Sequence, residues 1–214
     1  MSFSFPKLYP ILDASTIPST GRAEFLHRLG EELAAAGVTL LEYRNKIGTE
    51  SELLADASIL RSALPAGKVK LILDDRAELI DRIGFDGVHV DAGDLTPASA
   101  RKLLGEDRVI GTLGGSAALL PGVLQSGADY FSIGPVFPTR TKQTSTPPIG
   151  INGVRRLRAE AGDGPVLVAV GGLTLAAAVD TLAAGATVLA VAGAFFRQPD
   201  PAAEFRRWRS EVEE

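Results

Sequence analysis

VTLLEYRNKIGTESELLADASILRSALPAGKVKLILDD, residues 38–75, decides the fold. It opens on the apolar run VTLLEYR (38–44) and closes on a second, VKLIL (69–73), that leads into two carboxylates. Between them, TESELLADASILRSAL carries its apolar residues at helical spacing. Strand, helix, strand is the βα unit, and the rest of the chain repeats it. Further short apolar runs are LYPILD (8–13), GVHV (87–90), RVIGTL (108–113), DYFSIG (129–134), VLVAVG (166–171) and TVLAVAG (187–193), making eight candidate strands. Helical spacing recurs in AEFLHRLGEELAAA, LTPASARKLL, SAALLPGVLQS, VRRLRAEA and LTLAAAVDTLAA. Several of these segments end at a glycine that leads into the next strand: Gly37, Gly84, Gly127 and Gly185.

Eight strands, each followed by a helical stretch, within 214 residues fit a compact α/β fold, the (β/α)8 TIM barrel, better than an open doubly wound sheet. No composition shift or linker marks a boundary, so residues 1–214 are expected to form a single domain. A hydrophobic content of 45% supports a sizeable core, and a net charge of −4 disfavours nucleic acid and anionic membranes as partners. Cysteine is absent, which excludes disulfides, thiolate metal sites and cysteine nucleophiles. The N-terminus MSFSFPKLYP has neither a basic start nor an apolar core, and no apolar run approaches the roughly 20 residues that span a bilayer. A cytoplasmic protein is expected.

In such a barrel the chemistry sits where strands end, so the residues after each strand carry the information. LEYRNK spaces Glu42, Arg44 and Lys46 by two, which puts them on one face. Two cations inside a barrel are costly unless an anion meets them; otherwise the strand has ended and both are solvated. LILDDRAEL ends in Asp74 and Asp75, where the simplest role for one is a helix cap. GVHVDAGDL adds His89, Asp91 and Asp94, with Asp94 another cap candidate. Carboxylates at the ends of adjacent strands are also what a hard cation such as Mg2+ requires. His89 alternates within an apolar strand and reads as a hydrogen-bonded structural histidine, and His27 lies on a helix surface.

AVGGLT places Gly172 before Thr174, a candidate cap, and AVAGAFF places Ala192 and Gly193 after the last strand. Small residues there let backbone N–H groups approach a phosphate. GPVFPTRTKQTSTPP (134–148) is long for a loop in a compact domain, so it is either disordered or functional. It contains Thr139, Thr141 and Lys142 and runs on through QTSTPP. No GxxxxGK[ST], HExxH or GxSxG motif and no histidine cluster is present.

LYPILD, LEYRNK, ILDDR, DGVHVDAGD, GADYFSIGPVFPTRTK and AVGGL, in that order, resemble the thiamine phosphate synthase family over nearly the whole chain. The resemblance implies a (β/α)8 transferase that joins 4-amino-5-hydroxymethyl-2-methylpyrimidine diphosphate to a thiazole phosphate with Mg2+, releasing diphosphate. It implies that Arg44, Lys46 and Lys142 hold the diphosphate and that Asp75 and Asp94 bind Mg2+. Thr139, Thr141, Gly172 and the turn at Ala192 and Gly193 would take the thiazole phosphate.

The chain also departs from that pattern. Glu42 stands where the family has a glutamine that contacts the pyrimidine, and Asp74 replaces an asparagine, adding a possible metal oxygen. Asn45 replaces a glutamate, Leu113 aligns with a serine that Thr112 or Ser116 would have to replace, and Gly193 stands where a serine is common. A related tautomerase uses a histidine after strand 5, where this chain has GTLGGS with Gly115 nearest. Two other readings stay open: a relative acting on other phosphorylated heterocycles, and a barrel that binds phosphate ligands without catalysis.

Overall fold

The computed structural model describes residues 4–91, 93, 95–115, 120–139 and 146–213. Its strands are β1 (Leu8–Asp13), β2 (Leu40–Arg44), β3 (Lys70–Asp74), β4 (Gly87–Val90), β5 (Val109–Leu113), β6 (Tyr130–Ile133), β7 (Leu167–Val170) and β8 (Val188–Val191). They close into a barrel in sequence order, every pairing parallel, with β8 returning to β1 through Leu8 opposite Leu189. The expected (β/α)8 barrel is therefore present, with each strand inside the run that announced it except β3, which extends one residue further to Asp74.

The helices are α1 (Arg22–Ala35), α2 (Glu50–Ala63), α3 (Ile80–Ile83), α4 (Pro97–Leu104), α5 (Leu120–Val123), α6 (Gly150–Ala161), α7 (Leu175–Ala183), α8 (Gly193–Phe196) and α9 (Pro201–Glu213). Local chemistry sets several of their ends. Thr49 caps α2 through a capping box with Glu52, and Thr96 caps α4 by accepting from the Ser99 N–H at 3.2 Å. Gly84 closes α3 at φ 66°, the left-handed turn that glycine adopts without strain. SAALLPGVLQS, expected to be helical throughout, is helical only over Leu120–Val123 among its described residues. Pro121 fits there because its missing N–H falls in the first turn.

Strand alternation sorts the apolar residues into two layers. Leu12, Leu41, Leu71, Leu73, Val88 and Ile110 face outward into the helices, against residues such as Leu26, Leu33 and Leu60. Tyr9, Ile11, Leu40, Ile72, Val109, Tyr130, Val168 and Val188 fill the lumen. The lumen accommodates the Tyr130 ring because β5 contributes a glycine: a methyl on Gly111 would stand 2.0 Å from Tyr130 Cζ. Phe5, just before β1, meets Tyr130 edge-on with centroids 5.5 Å apart and closes the lumen from below. The opposite end, where the strands finish, carries the charged groups.

Gly111→Ala is expected to lower the thermal unfolding midpoint by the equivalent of about 1–3 kcal/mol, because the ring has no room to retreat. Gly122→Ala, where nothing lies within 4 Å of the added methyl, should cost nothing measurable. Equal midpoints for the two variants would contradict the packing described.

Candidate active site

Glu42 and Arg44 point into the barrel mouth, as their spacing predicts. Glu42 is 5% exposed, and the Arg44 side chain is partly buried. Arg44 Nη1 donates to Asp13 Oδ2 at the end of β1, and Arg44 Nε lies 2.9 Å from Asp74 Oδ2 at the end of β3. Lys46 continues the same face beyond the strand, its ammonium in contact with Asp75 Oδ2 and 3.6 Å from Asp74 Oδ1. The cations are not solvated outside the barrel. They are held by carboxylates of the neighbouring strands.

Asp74 and Asp75 are not helix caps. The 3-10 turn that follows, Ala77–Leu79, has Arg76 at its cap position and no side-chain cap bond. Asp75 and Arg76 instead take left-handed backbone angles, φ 64° and 56°, which cost about 1–2 kcal/mol each outside glycine. The Asp75 N–H donates to the His89 carbonyl at 2.8 Å, which ties this turn to β4. The result brings Asp74, Asp75 and Asp91 together, with one oxygen of each within 4.8 Å of the others. Asp74 Oδ1 and Asp75 Oδ1 are buried and accept no hydrogen bond. Hard oxygen donors left open in this way fit a divalent cation. The charge agrees: four carboxylates, Asp13, Asp74, Asp75 and Asp91, face two cations, Arg44 and Lys46.

Beneath this cluster lies a polar layer. Tyr9 donates to Glu42 Oε2 at 3.1 Å, and Tyr130 Oη lies 3.1 Å from His89 Nδ1. His89 Nε2 is 3.7 Å from Asp91 Oδ1, so His89 has polar neighbours at both ring nitrogens, as its structural reading requires. Burial pushes the Glu42 carboxyl up to about 7, with Asp74 and Asp91 adding to the rise and His89 and Tyr9 opposing it. Burial would lower His89, but Asp91, Glu42 and Asp74 together hold it above its ordinary value. Asp13 moves the other way: burial opposes the shift, yet bonds from Ser15 and Arg44 keep it low.

A cleft of about 340 Å3 opens beside the cluster, lined among others by Asn45, Lys46, Asp75, Arg76 and Leu95. On the far side of the mouth, GPVFP is fixed to β7. Val136 N–H donates to Val170 O at 2.9 Å, Phe137 N–H to Gly171 O at 3.0 Å, and Ile149 N–H returns to Pro135 O at 2.9 Å. Gly172, at φ 67°, lies so close to this segment that a methyl would stand 2.5 Å from the Phe137 and Pro138 carbonyls. The glycine therefore has a packing reason beside any role toward phosphate. Thr139 is half-buried at the departure of the loop, and Ala192 and Gly193 open α8 directly after β8. Thr174 occupies the cap position of α7 without using its side chain.

Thr141, Lys142, Asp94 and Ser116 lie outside the described residues, as does the first half of QTSTPP, residues 143–145. Thr112 does not replace the missing serine hydroxyl: its Oγ1 faces outward and donates to Val90 O at 3.0 Å. Two members of the cluster, Asp13 and Asp91, carried no assigned role in the sequence reading. Strand parity could have found both, since Asp13 follows Tyr9 and Ile11 on the lumen face and Asp91 follows His89.

Charged groups gathered from successive strand ends, above a closed apolar lumen, define a (β/α)8-barrel enzyme that works at its C-terminal mouth. Residues 8–195 match the family model for thiamine monophosphate synthase. The thiamine-phosphate synthase of Koribacter versatilis is 39% identical over 186 residues, covering 87% of each chain. That of Chloroflexus aurantiacus is 36% identical over 210 residues, 96% of this chain and 92% of that one. Thiamine phosphate pyrophosphorylase from Pyrococcus furiosus superposes with a TM-score of 0.81 at 26% identity, covering 97% of this chain and 95% of that one. The chain belongs to the thiamine monophosphate synthase family, a family of transferases.

Glu42 supplies a pH test. Its folded-state value of about 7 exceeds the ordinary 4.5, so the stability it contributes is complete below that ordinary value and is lost as pH rises through about 7. Thermal midpoints of Glu42→Gln should therefore fall less than those of the wild type between about pH 5 and pH 8. Parallel profiles would mean that Glu42 is ionised throughout.

Proposed function

We propose that this chain couples 4-amino-5-hydroxymethyl-2-methylpyrimidine diphosphate to a thiazole phosphate, giving thiamine phosphate and diphosphate. The observation that carries this reading is the meeting of Arg44 and Lys46 with Asp74, Asp75 and Asp91 at one mouth. In the reaction, the bond from the methylene carbon to the diphosphate oxygen breaks and its electron pair leaves with diphosphate. The thiazole nitrogen then supplies the pair for the new C–N bond. No strong base is needed, so the demand on the protein is electrostatic.

Mg2+, held by Asp75 and Asp94 with Asp74 and Asp91 beside them, would neutralise charge on the diphosphate. Arg44 and Lys46 are already aligned on one face, and Lys142 would join them from the loop; together they bind the leaving group. Thr139, Thr141, Gly172 and the small residues Ala192 and Gly193 take the thiazole phosphate and set its nitrogen in line. Tyr9 and the apolar lumen below exclude water from the reacting carbon. Glu42, its carboxyl pushed up to about 7, can offer the pyrimidine a donor as well as an acceptor. The whole chain, 1–214, acts as one domain on small-molecule substrates, and the absence of cysteine suits a cytoplasmic location. No helix among the described residues is long and apolar enough to cross a membrane.

Diphosphate release from the two precursors, with and without Mg2+, tests the reading. Lys46→Ala, Asp75→Asn, Lys142→Ala and Asp94→Ala should each lower turnover by about 10²–10³-fold with thermal midpoints near that of the wild type. Full turnover in excess chelator, or near wild-type rates in all four variants, would refute it. Glu42 motivates a second reading, a preference for a different phosphorylated heterocycle, which would appear as a higher kcat/KM with that substrate than with the thiamine precursors.

A further inference from the structure

The segment that carries Lys46 is held from outside the barrel. Parity on β2 turns Tyr43 away from the lumen into the layer beneath α1 and α2, where it is fully buried. Its hydroxyl donates to Asp56 Oδ2 on α2. Asp56 is 2% exposed, and a buried carboxylate needs a partner of opposite charge. Arg22, the first residue of α1, supplies it through Nε and Nη2 at 2.8 and 2.6 Å. The hydrogen bond from Arg22 to Asp56 holds the guanidinium above its ordinary pKa, while burial and Asp56 raise the Tyr43 phenol. Both therefore stay protonated.

From Tyr43 the network reaches the loop after β2. Asn45 Nδ2 donates to Tyr43 Oη at 3.1 Å, and Asn45 Oδ1 accepts the Gly48 N–H at 2.7 Å. A methyl on Gly48 would stand 2.7 Å from that Nδ2, so the glycine rests directly on the amide. Segment 45–48 is thus closed on itself and pinned to β2. It ends at Thr49, whose backbone N–H donates to Glu52 Oε2 at 2.7 Å in the α2 capping box. Lys46 rides between these two anchors. A lysine stem is long and flexible, and anchoring its backbone limits where the ammonium can stand.

Donor and acceptor order makes residue 45 selective. The one phenolic proton of Tyr43 is committed to Asp56, so its partner at 45 must donate. An amide does this while its oxygen takes the Gly48 N–H. A carboxylate has no proton to give and would add a negative charge near Asp56. We infer that Asn45 and Tyr43 are positioning residues for Lys46: without touching substrate, they fix its ammonium at the mouth, so diphosphate affinity is set in part from the α1–α2 layer. This rests on the proposed role of Lys46 as a diphosphate ligand.

The test measures the Kd of the full chain for inorganic diphosphate with Mg2+ by calorimetry, alongside KM for the pyrimidine diphosphate. Asn45→Asp keeps the acceptor and removes the donor; it should weaken both values by about tenfold. Tyr43→Phe keeps the ring and the Arg22–Asp56 pair, should act in the same direction, and gives the same reading should Asn45→Asp not fold. In a Lys46→Ala background neither change should weaken binding further. Wild-type Kd in Tyr43→Phe and in any folded Asn45→Asp would overturn the inference, as would an equal loss in the Lys46→Ala background. If instead the wild type fails to bind, or Lys46→Ala binds as tightly as the wild type, the proposed role of Lys46 fails and takes the inference with it.

Discussion

Closing eight parallel strands into a ring forces every second side chain of each strand into a single lumen, and the groups at the mouth depend on that constraint. On β2 it turns Glu42 and Arg44 inward and Tyr43 outward, one residue apart. Inward cations are tolerable only because β1 and β3 end in carboxylates at matching height, Asp13 paired in register with Arg44 and Asp74 within reach of its Nε. Such partly buried pairs contribute little net stability, since desolvation offsets much of their attraction. They fix geometry. Removing either partner leaves a buried charge uncompensated, which is costlier than the pair is favourable.

The mouth divides into two halves of different character. Strands β1 to β4 deliver charge, with aspartates around Arg44 and Lys46. Strands β7 and β8 deliver backbone, with glycine and alanine at their exits and GPVFP packed against the Gly171–Gly172 turn. Tyr9, Glu42, His89 and Tyr130 form a polar group within the lumen, among apolar residues such as Ile11, Leu40 and Ile72. The proposed reaction, which expels diphosphate while gripping a second phosphate, would use one half for each.

Much of this was legible in the one-dimensional pattern. The strands follow their apolar runs, β3 overstepping by one residue, because a buried parallel strand is largely apolar, and the glycines before β2, β4, β6 and β8 mark helix ends with positive φ. The spacing of Glu42, Arg44 and Lys46 survived as a shared face. Other signals misled for physical reasons. Asp74 and Asp75 look like caps, yet strand parity turns Asp74 into the mouth and the left-handed turn at Asp75 and Arg76 brings Asp75 beside it and Asp91. Thr174 sits where a cap belongs and makes no cap bond. Thr112 looks available as a hydroxyl near the diphosphate, yet parity points it out of the lumen.

The sequence by itself determined the number and order of the elements, the family, and the strand ends at which chemistry would be found. Those follow from short-range regularities: period, breakers, and motifs a few residues long. Only the tertiary structure decided which carboxylates meet. Asp13, Asp74, Asp75 and Asp91 come from three different strands, and the distance between them depends on barrel register and on one strained turn, neither of which has a local signature. The same is true of the path from Arg22 through Asp56 and Tyr43 to Asn45, which joins residues far apart in the chain by packing alone.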